Sequence, residues 1–268
     1  MKSCIVAPIH EPKFAQFGIP FIKSYNKYFD DDNIFLVFSN EKEKTTFENM
    51  TEGLRYQSIV CTEALNYSKP ITQKKVFGTR WVFKNTNFEY VGIIDVDSEF
   101  IANKDYDSLF QQHFAKNRLI ASYVNNKGMV DKVGRYTAKK FFNSEDFLKL
   151  KTLTDDFKVF FWFNEIPVYE KNSFLEFLEY IDYDNIIPKL EYVTFDFVMY
   201  VFYLMLMNKI RLEILDVPIQ DKGSFLEAQD YFKPELFAKI FHTYNPMWIK
   251  NPIQDMKNVF IKMHTDRK

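Results

Sequence analysis

The sequence has little cysteine, little glycine and no excess of basic residues. Its 268 residues include two cysteines, Cys4 and Cys61, which are too few for a disulfide framework and lie in apparent strands. Seven glycines argue against a large low-complexity region. A formal net charge of −1 argues against nucleic acid as a partner, because binding to a phosphate backbone needs a basic surface. We therefore expect a globular protein with reduced, buried thiols.

The sequence also lacks a long apolar run. The longest, Phe197–Met207, is well short of the about 20 residues that a membrane span needs, and it predicts a core helix. The amino terminus has one lysine and an apolar run that Pro8 interrupts, which is not the pattern of a signal peptide. We therefore expect a cytoplasmic protein.

Strand-like and helix-like segments alternate along the chain. Short apolar runs at Ser3–Ile9, Ile34–Phe38 and Tyr56–Cys61 predict strands, and Pro70–Phe83 predicts a helix that begins with proline. This alternation predicts an α/β fold with a mostly parallel sheet and helices on both faces. Because no linker or internal repeat divides the sequence, we expect a single domain over residues 1–268.

The most informative stretch is Tyr90–Phe100, which reads YVGIIDVDSEF. It predicts a buried strand that stops at Asp95 and Asp97, whose side chains project to the same side because strand residues alternate. Two carboxylates at the carboxyl end of a buried strand are costly unless a cation lies between them. Oxygen ligands suit Mn²⁺ or Mg²⁺. The alternative is that both aspartates mark the turn where the strand meets solvent.

The second half of the chain is harder to interpret. The segment Asn125–Asp156 is polar and rich in lysine, and we predict a mobile loop with a short helix that acts as a lid. Leu119–Val124 and Ile210–Val217 predict strands, and Val159–Tyr169 predicts a strand pair or one bent strand. Thr194–Met207 predicts a very apolar helix.

At this point the chain resembles the glycosyltransferases of the GT-A fold, which use nucleotide-sugar donors. The resemblance rests on a first strand that ends in APIH, the lysine-bearing helix segment ITQKKVFG, and IIDVDSEF further along. It implies a Rossmann-like central sheet with a smaller mixed sheet on the acceptor side. It is convincing over residues 1–125, where we expect the nucleotide sugar to bind, and we assign the acceptor to residues 126–268.

The resemblance also implies a metal site. In that family an Asp-x-Asp after the fourth strand holds a divalent cation against the donor diphosphate. Asp97 would be the principal ligand of Mn²⁺ or Mg²⁺, and Asp95 would contact the ribose or a water on the metal. We expect a third protein ligand from His264, because the apolar run Val259–Met263 leads into it. The alternatives are that His264 lies in a frayed tail and that His242 is the ligand.

The end of the predicted first strand is implied to face the donor. Pro8, Ile9 and His10 would flank the nucleobase, and Lys75 would meet a phosphate or the base. The donor would be a UDP- or GDP-sugar. The acceptor would be a glycan or glycolipid, as in bacterial capsule or lipooligosaccharide synthesis, and a lipid acceptor fits peripheral association with the inner face of a membrane.

An inverting enzyme of this kind needs a general base for the acceptor hydroxyl. Asp196 is our first candidate because it opens the apolar helix, where the macrodipole supports a carboxylate. It also resembles, by position, the acidic residue that acts as base in many inverting members of the family. Its alternative role is a helix cap. Glu165, in the aromatic stretch before that helix, is the second candidate.

Three other classes of protein compete with this interpretation. Asp-x-Asp phosphatases and phosphotransferases usually carry the motif on their first strand, whereas two or three strands precede it here. A nucleotidyltransferase would have a glycine-rich, arginine-containing loop after the first strand, and IHEPKFAQFG has no arginine. A non-enzymatic scaffold would not need paired carboxylates at the edge of its sheet.

Overall fold

The computed structural model describes residues 1–66, 70–115, 117–124, 129–160, 166–190, 196–219, 243–244 and 262–265. In chain order the strands are β1 (Ser3–Pro8), β2 (Ile34–Phe38), β3 (Gln57–Val60), β4 (Tyr90–Ile93), β5 (Ser98–Phe100), β6 (Arg118–Val124), β7 (Val159–Phe160), β8 (Val168–Glu170), β9 (Arg211–Ile219), β10 (Thr243–Tyr244) and β11 (Lys262–His264). The α-helices are α1 (Ile19–Tyr28), α2 (Glu41–Met50), α3 (Pro70–Asn85), α4 (Tyr106–Ala115), α5 (Met129–Phe141), α6 (Ser144–Leu153), α7 (Lys171–Tyr180), α8 (Tyr183–Ile186) and α9 (Asp196–Leu206).

The central sheet has the strand order β3-β2-β1-β4-β8. Its first four strands are parallel, and β8 pairs antiparallel with β4. Every residue of β1 and β2 is buried, as expected for parallel strands that helices cover on both faces. Cys4 and Val6 pack on one face, and Ile5 and Ala7 pack on the other. The predicted mostly parallel α/β sheet is thereby confirmed.

Two smaller sheets flank the central one. In the first, the order is β10-β11-β5, and β11 pairs antiparallel with β5, which directly follows the Asp-x-Asp. In the second, the order is β7-β6-β9, with β6 parallel to β9. The stretch Val159–Tyr169 therefore contributes one strand to each of two different sheets, and its residues 161–165 lie outside the described part of the chain.

Helix α3 packs unusually close to the central sheet at Gly78. A Cβ atom on Gly78 would lie 2.6 Å from Cγ2 of Val37 and 2.9 Å from Cγ1 of Val6, both shorter than real Cβ contacts. The helix therefore approaches β1 and β2 to a distance that only glycine allows at this position. This packing fixes where the lysines of α3 lie relative to the ends of the strands.

The prediction of a mobile loop with one short helix over Asn125–Asp156 was wrong for residues 129–156, because helices make up most of this described part. The described residues of this segment form α5 and α6, which pack against α9. Buried Val133, Ala138 and Leu150 join the same apolar cluster as the residues of α9. Lysines occupy the exposed positions between the apolar ones, so the average composition looks polar although each helix buries one face.

The remaining expectations on burial agree with the structure. Cys4 and Cys61 are both free and buried, and burial raises the pKa of the Cys61 thiol to about 11. Among the described helices, none has both the length and the apolar character needed to cross a membrane. The apolar helix predicted at Thr194–Met207 is confirmed as α9, with nearly every residue buried.

We predict that Gly78→Ala destabilises the protein. The added methyl group would force apart α3 and two β-branched valines, and overpacking of this kind costs about 1–3 kcal/mol. The gain in helix propensity offsets only about 0.5–1 kcal/mol of that cost. Urea unfolding followed by circular dichroism measures the net change in the free energy of unfolding.

Gly134→Ala is the matched control for this change. Gly134 also lies within a helix, but its added Cβ would make ordinary contacts of 3.7 Å with Phe157 and 3.8 Å with Phe202. We expect Gly134→Ala to be neutral or slightly stabilising. Equal destabilisation by both substitutions would contradict a special close approach at Gly78.

Candidate active site

The Asp-x-Asp lies in the turn that connects the central sheet to the first of the smaller sheets. The backbone N–H of Ile94 still bonds to Val6 in β1 at 3.1 Å, and the chain then leaves the central sheet. Val96 is buried, whereas Asp95 and Asp97 on either side of it are partly exposed. This alternation places both carboxylates on the opposite side from Val96, at the carboxyl edge of the parallel strands.

The carboxyl-terminal strand β11 reaches this turn through its backbone. His264 pairs with Ser98 across the antiparallel ladder. The backbone N–H and the hydroxyl of Thr265 both donate to the carbonyl oxygen of Asp97, at 2.8 and 3.0 Å. The strand that was expected to deliver His264 thus lies beside the Asp-x-Asp, while the side chain of His264 is outside the described part of the structure.

Lys75 forms an ion pair with Asp95 in the described structure. Its Nζ atom lies 2.8 Å from Oδ1 and 3.0 Å from Oδ2 of Asp95. Burial by itself would lower the pKa of the Lys75 amine. The carboxylates of Asp95, Asp196 and Asp97 outweigh that effect, so the pKa is raised and the amine stays protonated. Helix α3 therefore places one ammonium group in the field of three carboxylates.

Asp196, the first residue of α9, is the third of these carboxylates. The phenolic O–H of Tyr169 donates to its Oδ2 atom. Burial raises the pKa of Asp196, while the charge of Lys75 and the hydrogen bond from Tyr169 act in the opposite direction. Tyr169 is itself almost fully buried in β8, which holds the pair rigidly. The arrangement keeps a basic carboxylate beside the Asp-x-Asp.

The oxygen ligands and the charge at this edge fit a divalent cation. Within the described part of the chain, three carboxylates act on the Lys75 ammonium group, so the charge of this set is negative, and carboxylate oxygens are the ligands that Mn²⁺ and Mg²⁺ prefer. Among the described residues, no group of three His, Cys, Asp or Glu side chains converges to hold a metal. A cation at Asp95 and Asp97 would therefore need further ligands from outside this set, such as substrate phosphates.

The residues after β1 form a second polar cluster at the same edge. The Nζ atom of the buried Lys74 donates to the carbonyl oxygen of Ile9 and lies 3.7 Å from Oε2 of Glu43. The Nδ1 atom of His10 is buried and makes no hydrogen bond within the described structure. Burial and the charge of Lys74 lower the pKa of His10, so its imidazole is neutral at neutral pH. Pro8 ends β1 directly before this cluster.

Lys74 is the buried, paired residue of this edge that the sequence did not single out. It adjoins Lys75, and both lie on a helix with an apolar background. A fully buried lysine is rare unless it is paired, but the sequence does not reveal which of two neighbouring lysines is buried. Of the other candidates, Glu165 and His242 lie outside the described residues.

Comparison with known proteins gives matches in structure but not in sequence. No family model matches the chain, and no curated protein matches it. The apo structure of the bifunctional glycosyltransferase WbbM matches with a TM-score of 0.50 at 14% identity, over 98% of this chain and 45% of that chain. The chain thus spans less than half of WbbM. This match confirms a glycosyltransferase-like α/β fold.

Two further structures match more distantly. Apo mouse xyloside xylosyltransferase 1 has a TM-score of 0.44 at 10% identity, over 98% of this chain and 97% of that chain. Core-mannan synthase A from Aspergillus fumigatus, in its Mn/GDP form, has a TM-score of 0.35 at 11% identity, over 80% of this chain and 73% of that chain. At these scores neither structure adds to what the match to WbbM shows.

We predict that Glu43→Gln destabilises the protein strongly. The substitution removes the counter-ion of the buried Lys74 ammonium, and breaking a buried ion pair costs about 3–5 kcal/mol. The double variant Lys74→Met/Glu43→Gln removes both charges and should be more stable than Glu43→Gln alone. Urea unfolding compares the stability of the two variants, and a double variant no more stable than the single one would contradict a paired buried charge.

Proposed function

We propose that this protein transfers a sugar from a nucleotide-sugar donor to a glycan or glycolipid acceptor, with the help of a divalent cation. The observation that carries the proposal is the arrangement of Asp95, Asp97 and Asp196 around Lys75 at the carboxyl edge of a parallel sheet. Ligands of open α/β sheets bind at this edge. The glycosyltransferase-like fold supports the same conclusion.

The donor diphosphate is assigned to the Asp-x-Asp side of the site. Asp97 and Asp95 would hold Mn²⁺ or Mg²⁺, and the ion would act as a Lewis acid toward the charge that develops on the leaving diphosphate. Lys75 adds a positive charge at the same edge and supports the diphosphate oxygens. The neutral His10 imidazole and the Ile9 backbone, which Lys74 holds in place, face the nucleobase.

The acceptor hydroxyl is assigned to Asp196. Its raised pKa makes it a stronger base than an exposed aspartate, and its charged form is still held by Lys75 and Tyr169. In an inverting transfer, Asp196 accepts the hydroxyl proton as the acceptor oxygen attacks the anomeric carbon. The hydrogen bond from Tyr169 fixes the Oδ2 atom of this carboxylate.

The position of the carboxylates argues against phosphatase chemistry. In a phosphatase of the Asp-x-Asp type the nucleophilic aspartate follows the first strand, whereas β1 here ends in Pro8 and the aspartates follow β4. Asp95 is also engaged by Lys75 through both of its oxygens, which is a poor arrangement for an attacking nucleophile. We propose that the acceptor is a glycan or glycolipid of bacterial surface-glycan synthesis.

We predict that Asp97→Asn weakens metal-dependent binding of a nucleoside diphosphate by roughly tenfold or more, because one anionic ligand is lost. Isothermal titration calorimetry with GDP and with UDP, each with and without Mn²⁺, measures the effect. The control is Asp184→Asn, which alters an exposed aspartate that pairs with Arg80. Full metal-dependent binding by Asp97→Asn would remove Asp97 from the site.

We predict that Asp196→Asn lowers the rate of sugar transfer by roughly 10²- to 10⁴-fold, the usual contribution of a positioned general base. Donor binding should stay nearly unchanged, and the fold should persist because asparagine caps helices as well as aspartate does. The assay is transfer from a panel of nucleotide sugars. An Asp196→Asn variant with wild-type transfer would move the search for the base to Glu165.

The same assignment predicts a pH dependence. Because burial raises the pKa of Asp196, transfer should be lost on acidification at a higher pH than the ionisation of an exposed aspartate, which lies near 4. Tyr169→Phe removes a hydrogen bond that favours the charged form, so it should move this acid limb to still higher pH. Tyr203→Phe, which removes a hydrogen bond to Glu176 instead, should leave the limb in place.

A further inference from the structure

The ion pair between Lys75 and Asp95 occupies a carboxylate that the proposed function assigns to the metal. The ammonium group contacts both oxygens of Asp95, at 2.8 and 3.0 Å. A divalent cation that binds either oxygen has to compete with this charge, because two cations at the same carboxylate repel each other. In this structure Lys75 therefore neutralises one of the two carboxylates that would hold the metal.

The backbone of Lys75 is held in place, whereas its side chain can turn. Its neighbour Lys74 is tied to Ile9 and Glu43, and the carbonyl oxygen of Lys75 accepts a hydrogen bond from the Thr79 hydroxyl at 2.8 Å. The Lys75 side chain is 18% exposed, and Asp95 is 46% exposed. The ion pair is therefore open to solvent on the side of Asp95, and the flexible four-carbon chain of a lysine can carry its ammonium group to a new partner.

We propose that Lys75 is an internal counter-ion that competes with the metal for Asp95 and moves to the donor diphosphate when the metal binds. The inference rests on the proposed function. It explains how a cluster of carboxylates stays folded before a ligand arrives. It also implies that the cation alone binds weakly and that the diphosphate, by giving the displaced ammonium an anionic partner, strengthens the binding of the cation.

This role makes a prediction that a purely structural lysine does not. Removing the charge of Lys75 should tighten the binding of the metal and weaken the binding of the diphosphate. A lysine that only holds Asp95 in position would, when removed, weaken both. Opposite changes in metal binding and diphosphate binding therefore distinguish a lysine that competes with the metal from a lysine that only positions Asp95.

The test compares Lys75→Met with Lys84→Met, a control at an exposed lysine of the same helix. Calorimetry first measures the binding of Mn²⁺ alone, and then of GDP and UDP at saturating Mn²⁺. For Lys75→Met we expect Mn²⁺ to bind on the order of tenfold more tightly and the diphosphate on the order of tenfold more weakly, the scale of a close ion pair. Lys75→Arg keeps the charge and should restore diphosphate binding. Unchanged or weaker Mn²⁺ binding by a folded Lys75→Met would overturn the proposal.

A measurement on the unaltered protein covers the case in which Lys75→Met does not fold. An amine-reactive ester, with mass spectrometry of the labelled peptides, reports the accessibility of each lysine. Mn²⁺ alone should speed the labelling of Lys75 several-fold and leave the labelling of Lys84 unchanged. An equal labelling rate at Lys75 with and without Mn²⁺ would contradict displacement of its ammonium group.

If the unaltered protein shows no metal-dependent binding of GDP or UDP, the proposed function fails. If GDP or UDP binds in a metal-dependent way but the expected changes at Lys75 are absent, only the counter-ion role of Lys75 is refuted, and the proposed function stands.

Discussion

The ion pair between Lys75 and Asp95 joins helix α3 to the turn after β4, and the charge balance of the site depends on it. Without that ammonium group, Asp95, Asp97 and Asp196 would face one another at the edge of a low-dielectric core. Close packing at Gly78 holds α3, the helix that carries Lys75, against β1 and β2. The central sheet, the helix and the carboxylates are thus parts of one electrostatic arrangement.

The parallel sheet and the Asp-x-Asp could be predicted from the sequence because both depend on local patterns. An uninterrupted apolar run such as IFLVF reports burial on two faces, and β2 has the bounds that its run predicts. The burial of Val96 between the partly exposed Asp95 and Asp97 agrees with the expectation that both aspartates lie on one side, although these residues form a turn and not the end of a strand. These inferences use only patterns among residues that are neighbours in the sequence.

The rest of the site depends on contacts between distant residues. Whether Lys74 or Lys75 faces Asp95 depends on the rotation of α3 about its axis, which contacts with other parts of the chain decide. The pairing of Tyr169 with Asp196 arises because β8 adds to the edge of β4, so that a tyrosine late in the chain reaches the opening of α9. The sequence analysis predicted only one short helix where α5 and α6 form, because the apolar faces of these helices show as a periodic pattern that the average composition conceals.

The hydrogen bonds from Thr265 to Asp97 span 168 positions of sequence, and they influence when the site can form. On a ribosome, the turn that carries the aspartates is synthesised long before the strand that pairs with β5. Contacts of such high sequence separation form slowly, because the intervening chain must first be ordered. The central sheet can therefore assemble during synthesis, whereas the Asp-x-Asp turn gains its last backbone partners only after β11 has emerged. A nascent chain halted before that point would already be folded at its core and still be incomplete at the edge where the chemistry is proposed.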